Sequence, residues 1–141
     1  MNAPSTITPR VLILFAHPAL HRSRMNAAMV AALEGLEGVT FRDLYELYPA
    51  FHIDVDTEQD MLLKHEVIVW QHPFYWYSCP ALMKEWMDVV LEHGFAYGES
   101  GHALRGKRMM SALTTGGAAQ AYQRGGRNHF TMQELLAPFE Q

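Results

Sequence analysis

Four consecutive aromatic residues, Phe74-Tyr75-Trp76-Tyr77, are the densest chemistry in this chain. They follow a β-branched and aromatic run, Val67-Ile68-Val69-Trp70, that reads as a strand buried on both faces and stopped by Gln71-His72-Pro73. Pro80, preceded by Ser78 and Cys79, marks the first position of the helix that comes next. Open α/β sheets hold their ligands at loops that leave the carboxyl ends of parallel strands. Aromatic rings in such a loop suit a flat, conjugated ligand. The same cluster would also serve a core or a subunit contact, because exposed apolar patches mark interfaces as well.

Two further stretches carry usable chemistry. The run Val11-Leu-Ile-Leu-Phe15 reads as a buried strand that delivers Ala16-His17-Pro18, a loop, and then Ser23 and Asn26 at the opening of a helix marked by Met25, Met29, Ala32, Leu33 and Leu36. The first N–H groups of a helix lack partners and the macrodipole is positive there, so this is a ready anion site. Capping alone would account for Ser23 equally well. Arg108 to Thr115 reads as another strand, and it delivers Gly116-Gly117. Adjacent glycines let the backbone approach a ligand closely, or simply make a turn.

Other reactive types read more plainly. Cys79 is a candidate nucleophile, but its place before Pro80 fits a small capping residue better. Asp54 and Asp56 lack a third ligand at a metal spacing and read as caps of a helix over 57–64. His17 and His21 stand four apart, yet Pro18 argues against a helix there, and no His-Glu-x-x-His occurs among the scattered histidines, so no metal is expected.

The elements that must position these groups alternate. A strand over 39–44 follows the first helix, a long connection runs through Tyr48-Pro49 to Asp54, and a helix from Pro80 to His93, with Leu82, Trp86, Val89 and Val90 on its apolar face, is closed by Gly94. Residues 95–107 form a glycine-punctuated loop, 118–129 another loop, and Thr131 to Phe139 a last helix. The alternation is that of an α/β, doubly wound parallel sheet of flavodoxin type. With strand order 2-1-3-4 the anion cradle, the aromatic wall and the Gly-Gly edge adjoin. Together they suit a phosphate attached to a planar ring system. Neither Gly-x-Gly-x-x-Gly nor Gly-x-x-x-x-Gly-Lys is present to support a dinucleotide fold or a P-loop.

Composition narrows the classes. A net charge of −4 without a basic face gives no basis for nucleic-acid binding. The longest apolar run, Val11 to Ala16, is far short of the ~20 residues a membrane helix needs. Residues 1–9 are polar, carry no signal-peptide pattern and read as a disordered lead-in to one domain over 10–141. A single cysteine excludes an internal disulfide and makes the cytoplasm the natural compartment.

Several motifs together resemble the flavodoxin-like NAD(P)H:quinone oxidoreductases, above all the ancillary flavoproteins of bacterial glutathione-gated potassium efflux systems. They are Leu12-Ile-Leu-Phe-Ala-His-Pro18, Asp43-Leu-Tyr45, Tyr48-Pro49, Ile53-Asp54, Glu58-Gln59, Gln71-His-Pro73, Tyr77-Ser-Cys-Pro-Ala-Leu82, Lys84-Glu-Trp86 and Thr114-Thr-Gly-Gly117. The resemblance implies an FMN site in which His17, Ser23, Arg24, Met25 and Asn26 hold the phosphate end. It places Phe74, Tyr75, Trp76 and Tyr77 along the isoalloxazine, and Thr114, Thr115, Gly116 and Gly117 at the pyrimidine edge. Tyr122 stands where larger members of the family carry a catalytic Tyr, and His129 stands one place from their catalytic His.

The implied activity is ping-pong, two-electron reduction of a quinone by NADH or NADPH through flavin N5. A homodimer with the pocket at the subunit contact is implied too. The alternative is a regulatory flavin-binding subunit docked peripherally on the cytoplasmic side of a potassium efflux transporter. The relatives continue past the helix near Thr131 with a fifth strand and a final helix, which these 141 residues do not contain: either the sequence is a piece of a longer protein or the fourth strand is an exposed edge.

Overall fold

The computed structural model describes residues 8–140; most of the expected lead-in, residues 1–7, lies outside the described residues. Four parallel strands, β1 (Val11–Phe15), β2 (Val39–Asp43), β3 (Val67–Pro73) and β4 (Arg108–Thr114), form one sheet in the order β2-β1-β3-β4. Helices α1 (Arg24–Ala31), α2 (Leu44–Leu47), α3 (Val55–Lys64), α4 (Ala81–Val90) and α5 (Met132–Leu135) connect or follow them. In register, Leu12, Ile68 and Met109 stand side by side, as do Leu14, Trp70 and Ser111.

The main core fills one face of the sheet. Leu12, Leu14, Ile68 and Trp70 meet Leu62 of α3 and Leu82, Met83, Trp86 and Val90 of α4, all buried. The indoles of Trp70 and Trp86 meet edge to face at 5.4 Å. Within this apolar layer Glu58 is fully buried and saturated with donors. It accepts hydrogen bonds from Arg42 Nε and Nη2, from the Tyr48 hydroxyl and from Trp86 Nε1. A buried carboxylate is tolerable only when paired and fully bonded in this way. Burial, reinforced by the neighbouring Glu58, pushes the Tyr48 hydroxyl up to about 12.

Several boundaries differ from the sequence reading. β3 does not stop at Trp70 but runs three residues on, because His72 and Pro73 still pair with Leu113 and Thr114 of β4. Phe74 N–H donates to Thr114 O, so by alternation the missing N–H of Pro73 faces the β1 side, where pairing has already ended at Phe15 with Gln71. β2 ends at Asp43, whose carboxylate accepts from the N–H groups of Tyr45 and Glu46 and so starts the short α2 inside what reads as a connection. Asp54 caps α3 as expected, while Asp56 lies within its first turn.

α4 ends at Val90 rather than His93, and Met83 takes the buried place expected of Val89. α1 ends at Ala31, and its apolar stripe is not sequestered: Met25 and Leu36 are exposed, and Asn26 is the buried residue. The expected helix 131–139 is a four-residue α5 with a Thr131–Glu134 capping box, then a 3-10 turn over Ala137–Phe139. β4 has no neighbour on its outer side among the described residues, and Met109 and Met110 are exposed there.

Candidate functional site

The carboxyl ends of β1, β3 and β4 deliver three loops to one place, and a cavity of about 430 Å³ lies between them. Its walls include His17, Arg22, Ser23, Met25 and Asn26 from the first loop and helix opening, Phe74 and Tyr75 from the second, and Thr114, Thr115 and Gly116 from the third. The volume is in the range of small-molecule sites.

The first loop is a donor cradle. Ser23 caps α1 by accepting from Asn26 N–H, and the first intrahelical bond is Ala27 N–H to Ser23 O, so the N–H groups of Arg24 and Met25 precede the ladder. Asn26 Nδ2 donates to Ser23 Oγ at 2.8 Å and to Thr114 Oγ1 at 2.9 Å, tying the cradle to the end of β4. Its Oδ1 is buried and has no partner. An unpaired acceptor of that kind in a cavity wall is unfavourable until a donor meets it.

His17 Nδ1 accepts from Ala19 N–H at 3.0 Å, which leaves the proton of the neutral ring on Nε2. Burial lowers its pKa; Asp43 acts against that shift and His21 with it, and the ring is a neutral N–H donor near pH 7.

The second loop is strained. Trp76 and Tyr77 both adopt left-handed backbone, with φ of 48° and 61°. Such conformations are costly for bulky residues and collect at functional sites. Phe74 forms the inner wall, flanked edge-on by Tyr77 at 6.0 Å and Tyr122 at 6.1 Å. The Trp76 side chain projects away, 90% exposed.

In the third loop, Gly116 has nothing within 4 Å of where a Cβ would stand. Gly117 is packed under Tyr122, whose hydroxyl would lie 3.1 Å from such a Cβ.

Not every expected residue lines the cavity. His17, Ser23, Met25, Asn26, Phe74, Tyr75, Thr114, Thr115 and Gly116 do. Arg24 instead lies on the outer face of α1 beside Ala27 and Ala28, and Arg22, which the sequence reading passed over, takes its place in the wall. Trp76, Tyr77, Gly117 and Tyr122 are not among the residues that line the cavity; Tyr122 touches the wall through Phe74 and packs over Gly117. His129 is exposed, with φ of 63°, and is outside the wall. Its neighbour Asn128 accepts a hydrogen bond from the Tyr77 hydroxyl at 2.9 Å. Cys79 is half-buried and its thiol is pushed up by burial, the opposite of an activated nucleophile.

The parallel sheet, its strand order and the cavity at its carboxyl edge define a doubly wound α/β binding domain, and residues 9–141 match the family described as Flavodoxin-like fold. The chain belongs to that family. It is 51% identical over 132 residues, 94% of this chain and 72% of that protein, to the glutathione-regulated potassium-efflux system ancillary protein KefG of Yersinia enterocolitica.

Among solved structures it is similar to an NADPH-quinone reductase from P. pentosaceus, at 40% identity and a TM-score of 0.84 over 93% of this chain and 74% of that one. General stress protein 14 of Treponema denticola, solved in complex with FMN, is 38% identical with a TM-score of 0.85 over 94% and 76%. A structure named as a thermophilic tryptophan halogenase from Streptomycin violaceusniger is 48% identical with a TM-score of 0.89 over 92% and 75%. No helix among the described residues is long and apolar enough to cross a membrane.

The residues present fit FMN. The orphaned Asn26 Oδ1 is an acceptor that a ribityl hydroxyl would satisfy, the helix opening and His17 offer donors to an anion, and the space before Gly116 admits a flat edge.

Proposed function

We propose that the chain binds FMN in the cavity at the carboxyl ends of β1, β3 and β4 and acts as an NAD(P)H-dependent oxidoreductase with a quinone as electron acceptor. The observation that carries this reading is Asn26, which is buried, joins the anion cradle to the Thr114 loop through its Nδ2, and leaves Oδ1 without a partner in the cavity wall.

In this reading His17, Ser23 and the N–H groups of Arg24 and Met25 hold the phosphate end, with Arg22 supplying countercharge. Asn26 accepts from the ribityl chain, and Phe74 and Tyr75 line one side of the ring. The N–H groups of Gly116 and Gly117 meet the edge that becomes electron-rich on reduction, where fixed backbone donors stabilise negative charge without reorganising. Bound FMN would supply two-electron hydride transfer, taking it from a nicotinamide and giving it to the quinone. Tyr122, which packs over Gly117, would donate a hydrogen bond at that same edge, a role supported by its contact with that loop. The mouth of the site carries exposed Tyr75, Trp76 and Tyr77, a surface suited to a second copy of the chain in a homodimer.

A second reading is favoured by the 51% identity to KefG proteins: a regulatory flavin-binding subunit that associates peripherally, on the cytoplasmic side, with a potassium efflux transporter. The two readings separate in one anaerobic experiment on protein loaded with FMN and desalted. Bleaching of the flavin band near ~450 nm by NADH or NADPH, and its return on adding a quinone, supports the oxidoreductase. Retained flavin that neither nicotinamide bleaches leaves only the regulatory reading. Absence of retained flavin contradicts both, and the cavity would then serve another ligand, including whatever the halogenase-named relative binds.

A further inference from the structure

Asn128 belongs to no wall of the cavity, yet it is where two separate segments meet. Its backbone N–H donates to Ala121 O at 3.0 Å, closing the segment from Ala119 to Asn128 on itself, and that segment carries Tyr122. Its side-chain Oδ1 accepts from the Tyr77 hydroxyl at 2.9 Å, reaching across 51 positions to the aromatic loop. Gly126 permits the closure: a Cβ there would lie 2.4 Å from Gln120 O. The two tyrosines so joined flank Phe74, which with Tyr75 lines the cavity. On the other side of the bond, Tyr77 holds a left-handed backbone that is unfavourable for a tyrosine, and nothing in its own loop bonds its hydroxyl.

We infer that Asn128 is a positioning residue for the ring-binding wall: by fixing Tyr77 it sets the edge against which Phe74 rests, and so tunes how tightly a planar ring is held. The inference rests on the FMN reading above. It makes the Asn128 side chain, rather than the adjacent exposed His129, the functional contribution of this segment to the site.

The effect is read as FMN affinity, by quenching of flavin fluorescence on titration, for wild type, Asn128→Ala, Asn128→Asp, Tyr77→Phe and the Asn128→Ala/Tyr77→Phe double variant, each checked by thermal melting. Loss of one such hydrogen bond corresponds to about a 2- to 12-fold weaker affinity. Asn128→Ala and Tyr77→Phe are expected to weaken FMN binding by the same factor, and the double variant by no more than either, because they remove the same bond. Asn128→Asp keeps the acceptor and is expected to stay within about 2-fold of wild type. Additive losses, a Tyr77→Phe variant that binds as wild type does, or an Asn128→Asp variant as weak as the alanine would each overturn the inference. Wild type that binds no FMN would instead overturn the reading on which it rests.

Discussion

The two faces of the sheet are built to different standards. On the α2–α4 face, Leu12, Leu14, Ile68, Leu82, Met83, Trp86 and Val90 are closed from solvent, and the one charge among them, Glu58, has every donor it needs. On the α1 side Ile13, Phe15 and Val69 are buried at the centre of the sheet, but toward its margins Met25 is 64% exposed, Met110 55% and Leu36 52%. Between the two faces, at the carboxyl ends of the strands, lie the unpaired Asn26 Oδ1 and the strained Trp76 and Tyr77. Stability is concentrated where packing is complete, and unsatisfied groups and strain are concentrated where a ligand would compensate for them.

That contrast can be broken most sharply at Glu58. Glu58→Ala leaves the Arg42 guanidinium, the Tyr48 hydroxyl and the Trp86 N–H without their common acceptor, and urea unfolding should show a loss of about 3–5 kcal/mol. A loss below about 1 kcal/mol would mean that the closed face does not depend on this network.

A second test uses pH. His72 is buried at the carboxyl end of β3, with Nδ1 bonded to Pro73 O and Nε2 unpartnered, and burial lowers its pKa below the usual histidine value. A base whose folded pKa is depressed contributes stability that is full above the unfolded value of about 6.5 and is lost as the pH falls through the folded value. Thermal melts should therefore drop between pH 7.5 and 5.5, and His72→Phe should flatten that drop. An unchanged slope in the variant would assign the dependence to other groups, His17 first among them.

The smallest effect is expected on the open side. Met110→Thr on the exposed edge strand should change unfolding free energy by no more than about 0.5 kcal/mol. A change above 1.5 kcal/mol would show that the edge is covered in solution.

Much of the contrast was legible in the residues. Buried strands declare themselves as β-branched and apolar runs, and the spacing of Leu82, Trp86 and Val90 marked the face of α4 that is in fact buried. Short-range signals also sufficed for the caps at Ser23 and Asp54, and for the convergence of three strand-end loops. The pairing of β3 with β4 beyond Trp70 could not be read, because it depends on partners 41 positions away, as Pro73 with Thr114, and on which side of the ladder Pro73 faces. For α1 the periodicity was real, but whether an apolar stripe is covered is decided by what packs over it, and a single helix's sequence does not contain that.

In the site, Arg22 and Arg24 flank the cap Ser23, and which of the two lies in the cavity wall depends on how the loop before α1 turns, which their sequence does not show. Asn128 carried no motif at all. Its partner Tyr77 lies 51 positions away and the bond exists only in the folded chain.

The central claim is that the cavity holds a flavin, and Gly116 offers the most direct test. A Cβ there meets nothing within 4 Å, so Gly116→Val is compatible with the fold while placing two methyl groups in the cavity wall. Wild type and variant should be loaded with FMN, desalted, and compared by absorbance and thermal melting. Flavin retained by wild type and lost from a variant that still melts cooperatively is the expected result. Equal retention by the two proteins, or none by a folded wild type, would contradict the account.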